Sequence, residues 1–174
     1  MLKSKKIAPL LFLSLVWVGG HVSPAMGAEK PLTFAVDGVV ERVMVKPGMS
    51  VQQGASLAKL DQTLFYAALK QAQIGHKSAK LAADYAQEAW QRAQKLYDDL
   101  NASKQELEEA ELALAEAQAR QAHAQWVLSQ AQWRLQRSQL LAPVSGRITA
   151  VPGYAGQVIH NQSGPSAVIL LETP

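Results

Sequence analysis

Residues 37–51 read DGVVERVMVKPGMSV, and residues 145–159 read SGRITAVPGYAGQVI. In both stretches a glycine precedes a short run of β-favouring residues, and another glycine lies ten residues after it, Gly48 in the first stretch and Gly156 in the second. Runs rich in Val, Ile and Thr that are bounded by Gly and Pro are typical of short strands joined by turns. One β motif therefore occurs twice, and its two copies can complete a single small β unit. Whatever lies between them has to leave that unit and return to it.

The first 28 residues have the pattern of a secretory signal. Three lysines precede an apolar run over 7–18, and small residues offer cleavage sites between Ala25 and Ala28. The run is shorter than the ~20 residues that span a bilayer. We therefore expect export with cleavage of this segment, and a retained N-terminal anchor is the alternative. The chain has no cysteine, so it is not expected to be a lipoprotein.

The net charge of +3 is explained by the signal segment. The chain has 17 Lys and Arg against 14 Asp and Glu, and removal of Lys3, Lys5 and Lys6 leaves 17 − 3 = 14 basic residues against 14 acidic ones. A nearly neutral mature chain does not have the basic surface of a nucleic-acid-binding protein. The chain length of 174 residues favours one domain, or one domain with a long projection.

Residues 62–138 carry two heptad patterns of similar length, which predict an antiparallel coiled-coil hairpin. In the first arm the expected seam positions are Phe65, Ala68, Ala72, Gly75, Ala79, Ala82, Ala86, Ala89, Ala93, Leu96 and Leu100. In the second arm they are Leu107, Ala110, Leu114, Ala117, Gln121, Ala124, Leu128, Ala131, Leu135 and Ser138. The seam is rich in alanine, so the two helices can approach closely.

The hairpin is expected to reverse at its tip, about residues 97–103. Asn101 suits the end of the first helix. Ser103 suits an N-cap, because Glu106 follows it at the spacing of a capping box.

The two β motifs resemble the two halves of a biotinyl/lipoyl-type domain. The resemblance implies an α+β fold, a lipoyl-like β domain (a barrel-sandwich hybrid) that is split by the hairpin. Its first half would be residues 29–61 and its second half 139–174. A carrier with a modified lysine is an alternative, but Lys59 is the nearest lysine and it lacks the flanking residues of a modification site.

A lipoyl-like domain split by a coiled-coil hairpin behind a signal sequence resembles the HlyD-type periplasmic adaptors, also called membrane fusion proteins. One signature is LAPVSGRI at 141–148, the usual return from the second helix into the β unit. The resemblance implies a non-enzymatic subunit of a tripartite efflux or secretion system, with no cofactor. Its partners would be a TolC-like outer-membrane channel and an inner-membrane transporter of the RND or ABC type. Homo- or hetero-oligomers are also expected.

The second signature lies at the tip, where Arg92, Leu96 and Ser103 match the Arg/Leu/Ser motif by which such adaptors bind their channel. By this resemblance Arg92 would donate charge-assisted hydrogen bonds, Leu96 would fill an apolar notch, and Ser103 would act as both cap and contact. Each residue also has a simpler interpretation: a solvated arginine, a seam leucine and a helix cap.

Longer adaptors continue into a β-barrel and a membrane-proximal domain, and the sequence is expected to represent a short form without them. The link to the transporter is therefore open: it could pass through the lipoyl-like unit or through a longer adaptor. A periplasmic coiled-coil scaffold or a truncated remnant without a transport role is the alternative function.

No catalytic constellation or phosphate-binding loop is recognisable in the sequence. His76 and His123 lie on opposite arms, outside the expected seam, and could approach each other across the rod. A two-histidine metal site is conceivable, but solvated histidines are the simpler interpretation. Five aromatic residues also fall outside the expected seam, where they could line contacts between adaptors or cover their own helices: Tyr85, Trp90, Tyr97, Trp126 and Trp133.

Overall fold

The computed structural model describes residues 28–160 and 167–173, so residues 1–27 of the expected signal segment lie outside the described part. Within these ranges the elements are β1 (Glu29–Leu32), β2 (Gly38–Val43), β3 (Ser50–Val51), β4 (Ser56–Leu60), α1 (Thr63–Asp98), α2 (Lys104–Arg137), β5 (Gln139–Leu141), β6 (Gly146–Ala150), β7 (Val158–Ile159) and β8 (Ile169–Glu172). The predicted α+β class is confirmed: a small β domain is split by a two-helix hairpin.

The two helices are long because nothing in their sequences stops them. No proline occurs between Pro47 and Pro143, and Ala, Leu, Gln, Glu and Lys dominate this stretch. With 36 residues, α1 rises about 54 Å, and α2 has 34 residues. The helices pack against each other along the hairpin. Neither of them, nor any other helix in the described ranges, is apolar enough over a sufficient length to cross a membrane.

The strands form two antiparallel four-stranded sheets, ordered β1-β8-β6-β3 and β5-β4-β2-β7. Each sheet takes two strands from each half of the chain. If β1 to β4 are exchanged with β5 to β8 in order, one sheet maps onto the other. The two copies of the sequence repeat are therefore related by a pseudo-twofold axis. Neither half can form either sheet alone.

Two backbone hydrogen bonds demonstrate this symmetry at the atomic level. The amide of Gly48 donates to the carbonyl of Ile148 over 2.7 Å, and the amide of Gly156 donates to the carbonyl of Val40 over 2.8 Å. Both glycines have a φ of 89°, a backbone conformation that an L side chain rarely adopts. This shared conformation explains why glycine occurs at both equivalent positions, 48 and 156.

The apolar core lies between the two sheets and draws on both halves. Its largest fully buried side chains are Phe34, Val40, Leu57, Leu60, Ile148, Val168, Ile169 and Leu171. Phe65, in the first turn of α1, packs against this cluster. The hairpin is thus anchored in the β domain through its base.

The base of the hairpin is also held by Ser138, which is fully buried. Its hydroxyl donates to the carbonyl of Leu135 over 2.6 Å and accepts from the Gln62 side chain over 2.7 Å. Its carbonyl accepts from the amide of Leu60 over 2.9 Å. These bonds join the end of α2 to the start of α1 and to β4, and they fix the direction in which the rod leaves the β domain.

The seam of the hairpin follows the predicted pattern in α2 but only in part in α1. Every predicted seam position of α2 is buried or half-buried. In α1 the predicted positions Ala68, Gly75, Ala82, Leu96 and Leu100 are exposed instead.

The α1 seam runs through the next residues along the helix, including Leu69, His76, Ala83 and Trp90. Alanine occurs on several faces of α1, so apolar character alone did not fix the phase of its heptads. The observed phase covers the larger side chains Leu69 and Trp90, which removes more apolar area from water. His76 and Trp90 were therefore wrongly placed outside the seam.

Candidate partner-binding site

The tip of the hairpin begins where α1 ends, in a Schellman turn. The amide of Asn101 donates to the carbonyl of Leu96 over 2.8 Å, and the amide of Leu100 donates to the carbonyl of Tyr97 over 3.0 Å. The residue that takes the left-handed conformation is Leu100, with a φ of 56°, and not the expected Asn101. This conformation costs a branched residue such as leucine roughly 1 kcal/mol.

Leu100 is also the most exposed large apolar side chain of the described residues, at 92%. The left-handed backbone costs stability, and the solvated leucine gains none of the burial energy that could offset this cost. Sequence reasoning missed it, because Asn101 is the more common residue for this conformation. The apolar Leu100 inside an otherwise polar turn was the signal that could have identified it.

The second helix begins with the predicted capping box. The Ser103 hydroxyl accepts from the amide of Glu106 over 3.2 Å, and the Glu106 carboxylate accepts from the amide of Ser103 over 2.7 Å. The Ser103 amide, followed by its hydroxyl, lowers the pKa of Glu106 below its usual value of 4.5. Cap and carboxylate together hold the turn in one shape.

Arg92 lies two turns before the end of α1, with its side chain largely in solvent. Its guanidinium is 3.7 Å from Glu88 and lies over the ring of Tyr85, 6.0 Å from the centroid. An exposed pair at this distance contributes little to stability. The guanidinium therefore has several N–H donors available for a partner.

Leu96 follows Arg92 by four residues, so the two side chains lie on the same side of α1. Leu96 was expected in the seam, under α2, but its side chain is 48% exposed. Ser103 lies across the turn, also exposed. All three predicted contact residues are thus on the surface at one end of the rod. We call Arg92, Leu96 and Ser103 the tip site. The seam interpretation of Leu96 is not supported, whereas the capping interpretation of Ser103 is.

A groove of about 480 Å³ lies on one side of the hairpin nearer its base, and it is the second candidate site. His76 and His123 both line it, together with Arg134 and small residues such as Gly75. The His123 ring packs against Trp126 at 5.8 Å between centroids. Among the described residues no group of three or more potential metal ligands occurs. The groove therefore has only the two histidines as potential ligands, and the cationic side chain of Arg134 lines it as well. Small residues on both helices leave the space for this groove, among them Gly75 and Ala124.

Lys59 lies within β4 and not at an exposed turn. Its ammonium is 2.7 Å from the Glu41 carboxylate, and its side chain is half-buried. A lysine that carries a swinging cofactor has to protrude into solvent, and Lys59 does not.

A barrel-sandwich hybrid that carries an antiparallel helical hairpin defines the adaptor class called membrane fusion proteins. The chain belongs to this family: the family model described as "RND MFP, barrel-sandwich hybrid domain" matches residues 31–171. Members of this family are adaptors of efflux systems and not enzymes. No curated protein sequence matches the chain significantly.

Solved structures support the same fold. The membrane fusion protein Spr0693 from Streptococcus pneumoniae R6 is 19% identical with a TM-score of 0.67, covering 85% of this chain and 62% of its own. ZneB from Cupriavidus metallidurans is 17% identical with a TM-score of 0.60, covering 83% and 60%. A MacA-MexA chimera containing the α-hairpin domain of Pseudomonas aeruginosa MexA is 24% identical with a TM-score of 0.55, covering 83% and 48%. The chain therefore spans between about half and two thirds of these proteins.

Proposed function

We propose that this protein is a periplasmic adaptor subunit of a tripartite efflux or secretion system. Residues 1–28 direct its export. The tip site binds the periplasmic end of a TolC-like outer-membrane channel, and the β domain faces an inner-membrane transporter of the RND or ABC type, directly or through a longer adaptor. The protein positions and seals the conduit, while the transporter supplies the energy.

The observation that carries this proposal is the tip site itself. Arg92 and Leu96 lie in solvent on one side of α1, and Ser103 holds the return into α2. The capping box and the Schellman turn keep the tip in one conformation, so little entropy is lost when a partner binds. A basic group beside an apolar side chain on a rigid tip is suited to helix ends that present carbonyl or carboxylate oxygens.

Co-purification after chemical crosslinking in cells tests the proposal. A tagged chain should carry an outer-membrane channel, identified by mass spectrometry. Arg92→Asp should reduce the recovered channel about tenfold or more, because it replaces a donor by a like charge facing carboxylates. Arg92→Lys should give an intermediate loss, because lysine keeps the charge and loses the bidentate geometry.

Arg120→Asp is the matched control. Arg120 is also exposed on the hairpin and also lies near a glutamate of its own helix, Glu116 at 3.4 Å, but it is far from the tip. The control variant should recover as much channel as the wild type. Equal recovery with Arg92→Asp would overturn the proposal and favour a periplasmic scaffold without a transport role.

A further inference from the structure

The groove near the base of the hairpin has an apolar lining that is open to solvent. This lining consists of small or aliphatic residues: Ala68, Ala72, Gly75, Ala124, Val127 and Ala131. Within each helix they recur at spacings of three or four residues, so they lie on one side of that helix. A Cβ added at Gly75 would meet nothing within 4 Å, so the groove is open at this place. The hairpin therefore exposes apolar surface that a ligand can remove from water with a gain in free energy.

The groove is long and narrow. His123 lies at one end and Arg134 at the other, eleven residues apart on α2, which corresponds to about 16 Å. A volume of about 480 Å³ spread over this length gives a mean cross-section of about 30 Å². An α-helix with its side chains is about 10 Å wide and is too thick for this space. An extended alkyl chain rises about 1.3 Å per carbon, so a single chain of about twelve carbons matches the length of the groove.

Arg134 places a permanent positive charge at the base end of the groove. Its side chain is exposed, and among the described residues no carboxylate lies within ion-pairing distance of its guanidinium. Arg120 on the same helix and Lys80 on α1 are instead paired with Glu116 and Asp84. The guanidinium of Arg134 thus keeps its N–H donors available, in a planar arrangement that suits a carboxylate.

The base half of the hairpin, residues 62–83 and 117–137, contains no acidic residue. Its cations are Lys70, Lys77, Lys80, Arg120, Arg134 and Arg137, whereas every Asp and Glu of the hairpin lies in the tip half, residues 84–116. The positive charge around the groove is therefore not compensated within the base half, and the local potential attracts anions. A ligand with a positive head group would be repelled from the same place.

An occupant of the groove has to match an apolar lining that ends at a cation. A peptide strand would place its backbone N–H and C=O groups against that lining, where they would lack hydrogen-bond partners. We infer that the groove binds a single-chain amphipathic anion, such as a fatty-acid carboxylate. Its head group accepts hydrogen bonds from Arg134, and its alkyl chain runs past Gly75 toward His76 and His123. This site is separate from the tip site and does not depend on channel binding.

Titration calorimetry of the purified chain tests the inference, with sodium dodecanoate below its critical micelle concentration as the probe. We expect saturable binding of one dodecanoate per chain. Dodecyltrimethylammonium has the same tail and the opposite charge, and it should bind at least tenfold more weakly because of repulsion by the base half. Acetate, which has the head group without the tail, should give no measurable binding because it buries almost no apolar surface.

Two variants place the binding in the groove. Gly75→Leu should abolish dodecanoate binding, because the leucine side chain fills the groove, and it should keep the helix content because leucine is a good helix former. Arg134→Gln should weaken binding about tenfold or more through the loss of a charge-assisted hydrogen bond.

Arg137→Gln is the matched control. Arg137 is also exposed at the end of α2, but its guanidinium lies over the ring of Trp133, 6.0 Å from the centroid, and it does not line the groove. This variant removes the same charge and should bind dodecanoate within about twofold of the wild type. Absence of saturable binding to the wild type would overturn the inference, as would unchanged binding in Gly75→Leu. Equal losses in Arg134→Gln and Arg137→Gln, or equal binding of acetate or of dodecyltrimethylammonium, would overturn it as well.

Discussion

At the scale of single residues, Leu100 combines a left-handed backbone with a solvated side chain. Leu100→Gly removes a backbone cost of about 1 kcal/mol, because glycine takes this conformation without strain. The amides of the last turn of α1 should therefore exchange with solvent about fivefold more slowly, as measured by hydrogen exchange.

The same variant should bind the channel more weakly if Leu100 contacts it, because an apolar anchor is lost at the tip. Leu100→Ala is the control: it removes the side chain and keeps the strain, so binding should fall without slower exchange. Faster exchange in Leu100→Gly than in the wild type would contradict the strain assigned to this turn.

Ser103 caps α2 and is proposed to touch the channel, and substitution can separate these two roles. Ser103→Ala removes the cap and should cost about 1 kcal/mol of local helix stability. Ser103→Asp keeps an N-cap oxygen and should leave that stability close to wild type while it weakens channel recovery through added negative charge. If Ser103→Asp recovers the channel as well as the wild type does, Ser103 is a cap alone.

At the scale of the elements, two glycines should respond in opposite ways to the same substitution. A Cβ at Gly146 in β6 would lie 2.2 Å from the carbonyl oxygen of Glu172 in β8, whereas a Cβ at Gly75 in α1 would meet nothing within 4 Å. Gly146→Ala should lower the free energy of unfolding by about 3 kcal/mol, because backbone has to move. Gly75→Ala should raise it by up to about 1 kcal/mol through helix propensity. Urea denaturation measures both, and a stable Gly146→Ala protein would contradict the β6–β8 register.

The start of α2 should depend on pH through Glu106. Its pKa is lowered in the folded protein by the Ser103 amide and hydroxyl, so the stabilisation is complete above the unfolded value of 4.5 and is lost as the pH falls through the folded value. The protection of the Ser103 amide, its exchange rate relative to that of the unfolded chain at the same pH, should therefore fall as the pH drops below 4.5. Glu106→Gln should remove most of this dependence, since glutamine accepts the same bond without titrating. A pH-independent wild type would contradict the capping geometry.

At the scale of the whole molecule, the repeat flanking the heptads was sufficient to predict the fold class. It could not reveal how the halves interleave, because pairing of β2 with both β4 and β7 is long-range and leaves no local pattern. Core positions such as Val40 and Ile148 were visible as equivalent residues, but which sheet each strand joins depends on packing.

The hairpin was predictable in outline and not in phase. The α2 seam contains leucines that fix its register, whereas the alanines of α1 allow two neighbouring registers. Arg92, Leu96 and Ser103 were identified by resemblance and lie on the surface at the tip. The left-handed conformation of Leu100 could not be predicted from the sequence, because it follows from the reversal of the chain and not from any preference of leucine.

The central claim is that the hairpin tip binds an outer-membrane channel. A photoreactive residue placed at Leu100, in otherwise wild-type and Arg92→Asp backgrounds, tests this claim in cells. The account predicts a crosslink to a TolC-like channel in the wild-type background and its loss with Arg92→Asp. Absence of any channel crosslink from an exported, folded protein would contradict the account, as would a crosslink that persists unchanged with Arg92→Asp.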